Sequence, residues 1–398
     1  MRNILLCVFF SLQTMAQLPT GNWHASIALN DTLDLPFTFS SDSNSLTIHN
    51  GDENIIVNEI KLKGDSVFIQ MPVFDSEFLC VLKENSITGI FFNHARKADN
   101  VFPFHAQLGL SYRFSDRPER TSLNITGKYH VVFNGEDKES KDAVGVFKQE
   151  GNRLTGTFLT TTGDYRFLEG EIGGNRIWLS AFDGSHLFLF TALVRGDSLC
   201  EGQFFSGKHW HDTWTGVKDE NANLINPDSL TTLRNGDSKI NFKFPDENGK
   251  MISLFDKKYK NKAVIIQIMG SWCPNCMDET KFLADWNRKN KNKKNRIEII
   301  ALDFEKIADT THAYRNIRRL KKQFGVTYPI LFAGPSDKKE AAKSLPALNR
   351  IFAYPTLLFL NKEKKVIKTH TGFNGPATGE DYTKFKTWFE QTTNKMKN

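Results

Sequence analysis

The sequence predicts a chain of mixed class in two parts, an N-terminal all-β region with a duplicated β unit and a C-terminal α/β sandwich. Three observations carry that reading. Residues 22–220 alternate apolar and polar side chains in short runs bounded by Gly, Asn, Asp and Ser, the period-two pattern of antiparallel strands, with no long amphipathic helix. From Ile240 onward, apolar runs alternate with helical periodicity, which implies a central sheet with helices on its faces. The charge balance switches at the same boundary: residues 1–230 hold 19 Lys/Arg against 28 Asp/Glu, residues 231–398 hold 33 against 17. A chain of 398 residues also exceeds what one hydrophobic core usually serves.

The elements follow in order. Arg2, an apolar run over 4–12 and the small residues of Thr14-Met15-Ala16 read as an export signal cleaved after Ala16. Cys7 does not turn this into a lipid-attachment site, because Leu5 and Leu6 stand where small residues are required. Export implies a periplasmic location in a Gram-negative-type envelope, and no other run is long and apolar enough to span a bilayer. Residues 17–225 form the β-rich region, with strands expected at 66–70, 86–92, 153–159 and 176–179. The region repeats itself, over about 21–110 and 127–220. Gly21-Asn22-Trp23 matches Gly127-Lys128-Tyr129, Phe74-Asp75-Ser76 matches Phe182-Asp183-Gly184, and Gly89-Ile90-Phe91-Phe92 matches Gly202-Gln203-Phe204-Phe205. Two copies of one unit fit either a single closed, barrel-like sheet or two packed halves.

Residues 226–238 have the polar, turn-rich composition of a linker. The region 239–398 then reads as a hairpin over 239–254, a buried strand at 263–269, a helix over 274–287 and a strand at 297–304. Next come a helix over 311–324, a strand at 328–332, a short helix over 338–343, a hairpin over 356–369 and a last helix over 381–395. The net charge of +7 does not indicate a nucleic-acid partner, since the basic residues lie on helix flanks and loops without interleaved aromatics; the densest run, 288–296, reads as a soluble connector.

The chemistry-bearing motif is Trp272-Cys273-Pro274-Asn275-Cys276, two thiols two residues apart at a strand-to-helix junction. A first-turn cysteine meets unpaired backbone N–H groups and the positive end of the helix dipole, which favour its thiolate. Such placement lowers a thiol pKa from about 8.5 into a range of roughly 3.5–7.5. Cys273 is therefore the attacking thiol, and Cys276, one turn inward, resolves the mixed disulfide. Pro274 suits the first turn, where its missing N–H costs nothing. No second Cys or His pair stands at zinc-finger spacing, so the motif is read as a redox pair without metal or cofactor.

With these residues go Phe244-Pro245-Asp246 and Gly249-Lys250 in the leading hairpin, Tyr354-Pro355-Thr356 before the last hairpin, and Gly372-Phe373. In this ordered set, residues 239–398 resemble the thioredoxin superfamily, specifically the TlpA/ResA-like exported thiol-disulfide oxidoreductases. The resemblance implies a thioredoxin-like sandwich and makes Pro355 the cis-proline of the substrate loop, with Trp272 and Tyr354 lining the substrate cleft. In ordinary thioredoxins a buried carboxylate precedes the first cysteine by six residues. Here that position is Gln267, which cannot act as a base. The resemblance points instead to Glu305 as the proton shuttle for Cys276, with Asp303 as the competing residue. The loop Phe373-Asn374-Gly375-Pro376 is expected near the cleft, either as part of it or as a structural turn.

Cys80 and Cys200 are either free thiols or a disulfide joining the two repeats. His209 and His211, between Trp210 and Trp214, suit either a binding site or a terminal strand with packed aromatics. The whole reads as an exported protein-disulfide oxidoreductase acting as a reductant. Its partners would be protein disulfide substrates and an upstream thiol donor in the envelope. A peroxidase of the peroxiredoxin type ranks below, because Gly270 stands where that chemistry wants Thr. A further alternative makes the β region an envelope binding module with a subsidiary redox domain.

Overall fold

In a computed structural model, described for residues 17–135, 140–234, 239–290, 292, 297–307 and 309–397, the β region forms two nine-stranded antiparallel sheets. The proposed signal segment, 1–16, lies outside the described residues, as do residues 291 and 293–296 of the basic run 288–296. In the first sheet the strand Gly21–Asn30 buries Trp23, Ala25, Ile27 and Leu29 at every second position. It pairs with both Leu33–Ser41 and Val101–Leu108. In the second sheet Gly127–Gly135 pairs in the same way with Ser140–Glu150 and Trp210–Lys218. There the strand Ser140–Glu150 also pairs with Arg153–Thr160, so the hydrogen-bonded ring closes on itself as a barrel. Closure removes the exposed sheet edges that would otherwise invite pairing with other chains.

Aromatic side chains fill both interiors. Phe133, Phe158, Phe190, Phe204 and Trp214 pack together inside the barrel. The first sheet packs Phe37, Phe78 and Phe91 around Phe182, which the second sheet contributes. The two sheets therefore share a core and form one module. Cys80 and Cys200 are both free, one in each sheet. His211 contacts Gln203 and stacks on Phe205, whereas His209 contacts Arg96, so the two histidines do not converge.

The C-terminal part is a five-stranded sheet in the spatial order Ile330–Pro335, Glu298–Glu305, Val264–Met269, Thr356–Leu360, Val366–Thr371. The first three strands run parallel, Thr356–Leu360 runs antiparallel to them, and Val366–Thr371 reverses again, antiparallel to Thr356–Leu360. Val264–Met269 and Glu298–Glu305 are buried at every position, which explains why they read as continuous apolar runs rather than alternations. Four helices pack on this sheet: α1 (Pro274–Asn290), α2 (Thr310–Phe324), α3 (Lys338–Ser344) and α4 (Glu380–Lys397). Asp309 caps α2 by accepting from the backbone of Thr311 and His312, and Gly325 ends it in the left-handed conformation. Phe385 and Phe389 of α4 pack on Phe282 of α1.

The tract read as a linker behaves differently from its composition. Over 226–234 it is strapped to the redox sheet: Asp228 pairs with Lys368 and His370, Thr231 bonds Thr371, and the amide of Arg234 donates to Ala347. Its polar side chains bond a sheet edge where water was expected. Residues 235–238 lie outside the described residues.

Candidate active site

Val264–Met269 carries the chain up through the sheet, and Gly270 begins the turn into α1. An added Cβ at Gly270 would lie 2.7 Å from the Phe304 carbonyl and 2.3 Å from Trp272 Nε1, so only glycine lets the turn pass. Cys273 precedes α1, whose first residue is Pro274. Cys273 and Cys276 are disulfide-bonded, with Cα atoms 5.2 Å apart. The Cys276 amide donates to Cys273 Sγ at 3.3 Å, an N–H aimed where a thiolate charge would reside. Cys273 is 6% exposed and Cys276 fully buried, so the sulfurs differ in access.

Around them, Trp272 donates from Nε1 to the Phe304 carbonyl at 2.9 Å and meets Tyr354 edge-on, with ring centroids 5.7 Å apart. Lys306 Nζ stands 4.4 Å from the Trp272 ring centroid. The Tyr354–Pro355 peptide is cis, and the Tyr354 carbonyl lies 3.5 Å from Cys273 Sγ. Asn275 Nδ2 donates to the Phe373 carbonyl at 3.2 Å, which brings the 373–376 loop to the motif. Trp272, Cys273, Cys276, Tyr354 and Pro355 are thus gathered in one place.

Within the redox domain, three buried carboxyl groups among the described residues stand near the pair. Asp303 and Glu305 both accept from the amide of Ser271, at 3.0 and 3.3 Å, just before Trp272. Glu305 is 2% exposed. Burial, reinforced by the neighbouring Glu305, holds the Asp303 carboxyl well above its usual range. The third, Glu279, is missing from the expectations drawn from sequence. It is fully buried on α1 and accepts from Gln267 Nε2 at 3.0 Å, while the same amide reaches the Cys276 carbonyl at 3.5 Å. Burial pushes its carboxyl well above the usual range, with the Gln267 hydrogen bond opposing. Its second oxygen has no partner among the described residues. Gln267 cannot itself be a base, yet it orients one. The signal was present in the spacing: Cys276 and Glu279, three residues apart on a helix, share a face.

The β module also reaches the site. Asn275 Nδ2 donates to the Asp164 carbonyl at 2.9 Å, Arg166 Nη1 to the Pro274 carbonyl at 3.2 Å, and Ser185 Oγ to the Trp272 carbonyl at 3.3 Å. Arg166 further pairs with Asp278 at 2.6 Å, Asp183 at 3.3 Å and Glu53. A cleft of about 290 Å³ remains over Cys273. Tyr165, His186 and Phe188 of the module face Trp272 and Tyr354 across it.

The Redoxin family model matches residues 234–384. Thiol-disulfide oxidoreductase ResA of Bacillus subtilis (strain 168) is 28% identical over 151 residues, covering 38% of this chain and 75% of that protein. Thiol-disulfide oxidoreductase ResA of Bacillus cereus (strain ATCC 10987 / NRS 248) is 29% identical over 149 residues, 37% of this chain and 76% of that protein. A solved thiol-disulfide oxidoreductase from Bacteroides fragilis NCTC 9343 is 20% identical, covering 37% of this chain and 99% of that chain, with a TM-score of 0.29. Through this matched part of the chain, the protein contains a redoxin domain, a thiol-disulfide oxidoreductase segment of the TlpA/ResA-like type.

Proposed function

We propose that the protein is an exported reductase of protein disulfides in the cell envelope, working through Cys273 and Cys276. The observation that carries this reading is the pairing of one barely accessible sulfur, held at a helix start under an N–H donor, with a fully buried partner sulfur in bonding contact. In the reduced protein the Cys273 thiolate attacks one sulfur of a client disulfide. A mixed disulfide forms and the client's other sulfur leaves as a thiolate, which takes a proton from water. Cys276 then loses its proton and attacks Cys273 Sγ, so the Cys273–Cys276 bond forms, the client's second thiolate departs and the client has gained two electrons. An upstream dithiol donor returns the pair to the reduced state.

Glu279 is the base this reading assigns to Cys276, because Gln267 holds it beside that cysteine. Glu305 and Asp303 serve the Cys273 side through the Ser271 amide. Tyr354 and Pro355 present the client's backbone, and Trp272 packs on it. The same proposal includes the signal peptide cleaved after Ala16, the division at 17–225, 226–238 and 239–398, and the origin of the two sheets as copies of one unit. Their shared scheme, first strand paired with second and last, supports that origin.

The test uses purified mature protein and a short peptide disulfide. Cys273→Ser is expected to abolish its reduction, and Cys276→Ser to accumulate a mixed disulfide with the client. Retained reductase activity in Cys273→Ser would falsify the thiol mechanism, and peroxide consumption in place of disulfide reduction would favour the peroxidase reading.

A further inference from the structure

We propose that the β module is the second jaw of the active-site cleft and acts as a size filter, so that Cys273 serves disulfides carried on an extended single polypeptide segment and refuses those on the surface of a folded domain. The inference rests on the reductase reading above and names its substrate class.

A folded client needs a broad face to land on, roughly 800 Å² per partner in a stable complex. Around Cys273 that face is taken. The Trp272, Pro274 and Phe373 carbonyls, which flank the sulfur, are already bonded to Ser185, Arg166 and Asn275, and Asn275 is in turn held by the Asp164 carbonyl. The module's turn at Gly163 presses against the motif so closely that a Cβ there would lie 2.5 Å from Asn275 Nδ2 and 3.0 Å from the Phe373 carbonyl. What remains is the cleft of about 290 Å³, roughly ten water volumes and at the lower end of ligand pockets. A strand rising about 3.3 Å per residue can thread it and present one cysteine. The facing Tyr165, Phe188 and Trp272 rings favour an apolar residue beside that cysteine.

The jaw is clamped at two helices. Arg166 joins the first sheet through Glu53, its own sheet through Asp183 and α1 through Asp278. Asp75, in the first sheet's chain, receives Arg315 at 2.7 Å, His312 at 2.9 Å and Arg319 at 3.1 Å from α2. Both clamps are shielded from solvent on the carboxylate or guanidinium that organises them. A client too large for the cleft has to break them.

The experiment compares two probes whose disulfides react equally fast with dithiothreitol: an unstructured peptide with one intrachain disulfide, and a compact folded domain. In single turnovers of the reduced full-length protein the peptide is expected to react at least tenfold faster. The variant Asp75→Asn, which opens the clamp on α2 and touches no group of the cysteine motif, is expected to raise the rate on the folded probe at least tenfold while changing the peptide rate less than threefold. A second measurement on the wild-type protein stands independently of that variant's folding. Iodoacetamide is expected to alkylate reduced Cys273 readily, while a maleimide carried on a folded protein is slowed at least tenfold relative to its reaction with free cysteine. Equal rates on both probes, or equal alkylation, overturn the filter and leave the thiol chemistry intact. With free cystine added as a third probe, its reduction with refusal of the peptide overturns the polypeptide assignment. Failure to reduce either probe overturns the reductase reading and the filter with it.

Discussion

At the scale of single residues, the proposed mechanism makes the proton that leaves Cys276 decide how fast a client is released, and assigns Glu279 to take it. General-base assistance of this kind contributes about 10²–10⁴-fold to a rate. Glu279→Gln is therefore expected to slow resolution by about 10²-fold or more, with the mixed disulfide persisting in quenched-flow samples while its formation from Cys273 is little changed. The Cys276 titration, followed by alkylation, is expected to move in Glu279→Gln and to hold in Glu305→Gln, whose carboxyl bonds Ser271 on the other side of the motif. A Cys276 titration that moves only in Glu305→Gln overturns this division. Sequence reasoning named Cys273, Cys276, Pro355, Trp272 and Tyr354, which the structure brings together, because their spacing and order are local. It sought the acid on the strand end at Glu305 because the thioredoxin position was occupied by Gln267. Replacing a carboxylate by an amide hides the acid when residues are read by position, while in space Gln267 donates to Glu279, the carboxyl to which the proposed mechanism gives that role.

At the scale of elements, the helix and strand types followed from period and composition, and so did the hairpin at the start of the redox region, formed by Lys243–Pro245 and Met251–Ser253. Closure of the second sheet did not, because a ladder between Ser140–Glu150 and Arg153–Thr160 looks like any hairpin until the ring is complete. Two residues test how tightly that barrel is built. An alanine at Gly170 would place its Cβ 1.9 Å from the Trp178 carbonyl, backbone against backbone, and Gly170→Ala is expected to destabilise the protein by about 3 kcal/mol, the upper end for overpacking. Phe158→Ala, which removes a fully buried ring packed against Phe133, Phe147, Phe190 and Trp214, is expected to cost about 3–5 kcal/mol. Urea unfolding followed by tryptophan fluorescence measures both, and a loss below about 1 kcal/mol in either contradicts a close-packed barrel interior.

At the scale of the whole molecule, the junction between module and redox domain carries its own pH dependence. Asp164 sits in that junction, accepting from the amides of Arg166 and Gly375. Burial, reinforced by the Asp278 charge, pushes its carboxyl up to about 7 from an ordinary 3.8. The folded protein then keeps a proton that the unfolded chain has released, so this group's contribution to stability falls as pH rises from about 4 to about 7. Asp164→Asn removes the titration and is expected to flatten the stability profile across that window, with its gain over wild type largest above pH 7. Urea midpoints measured between pH 4 and 8 check the slope, and an unchanged profile excludes Asp164 as its source.

By itself the sequence determined the reactive chemistry and the kinds of element that carry it, because a Cys-x-x-Cys turn, a period-two strand and a buried apolar run each depend on neighbours within a few residues. Only the tertiary structure decided what faces the sulfur. Asp164 and Arg166 reach Asn275 and Pro274 across more than a hundred residues of chain, and Glu279 matters only once Gln267 is packed beside it. Contacts of that kind arise from how two sheets and a redox domain share buried surface and satisfy each other's polar groups, a condition set by the whole packing and absent from any local pattern.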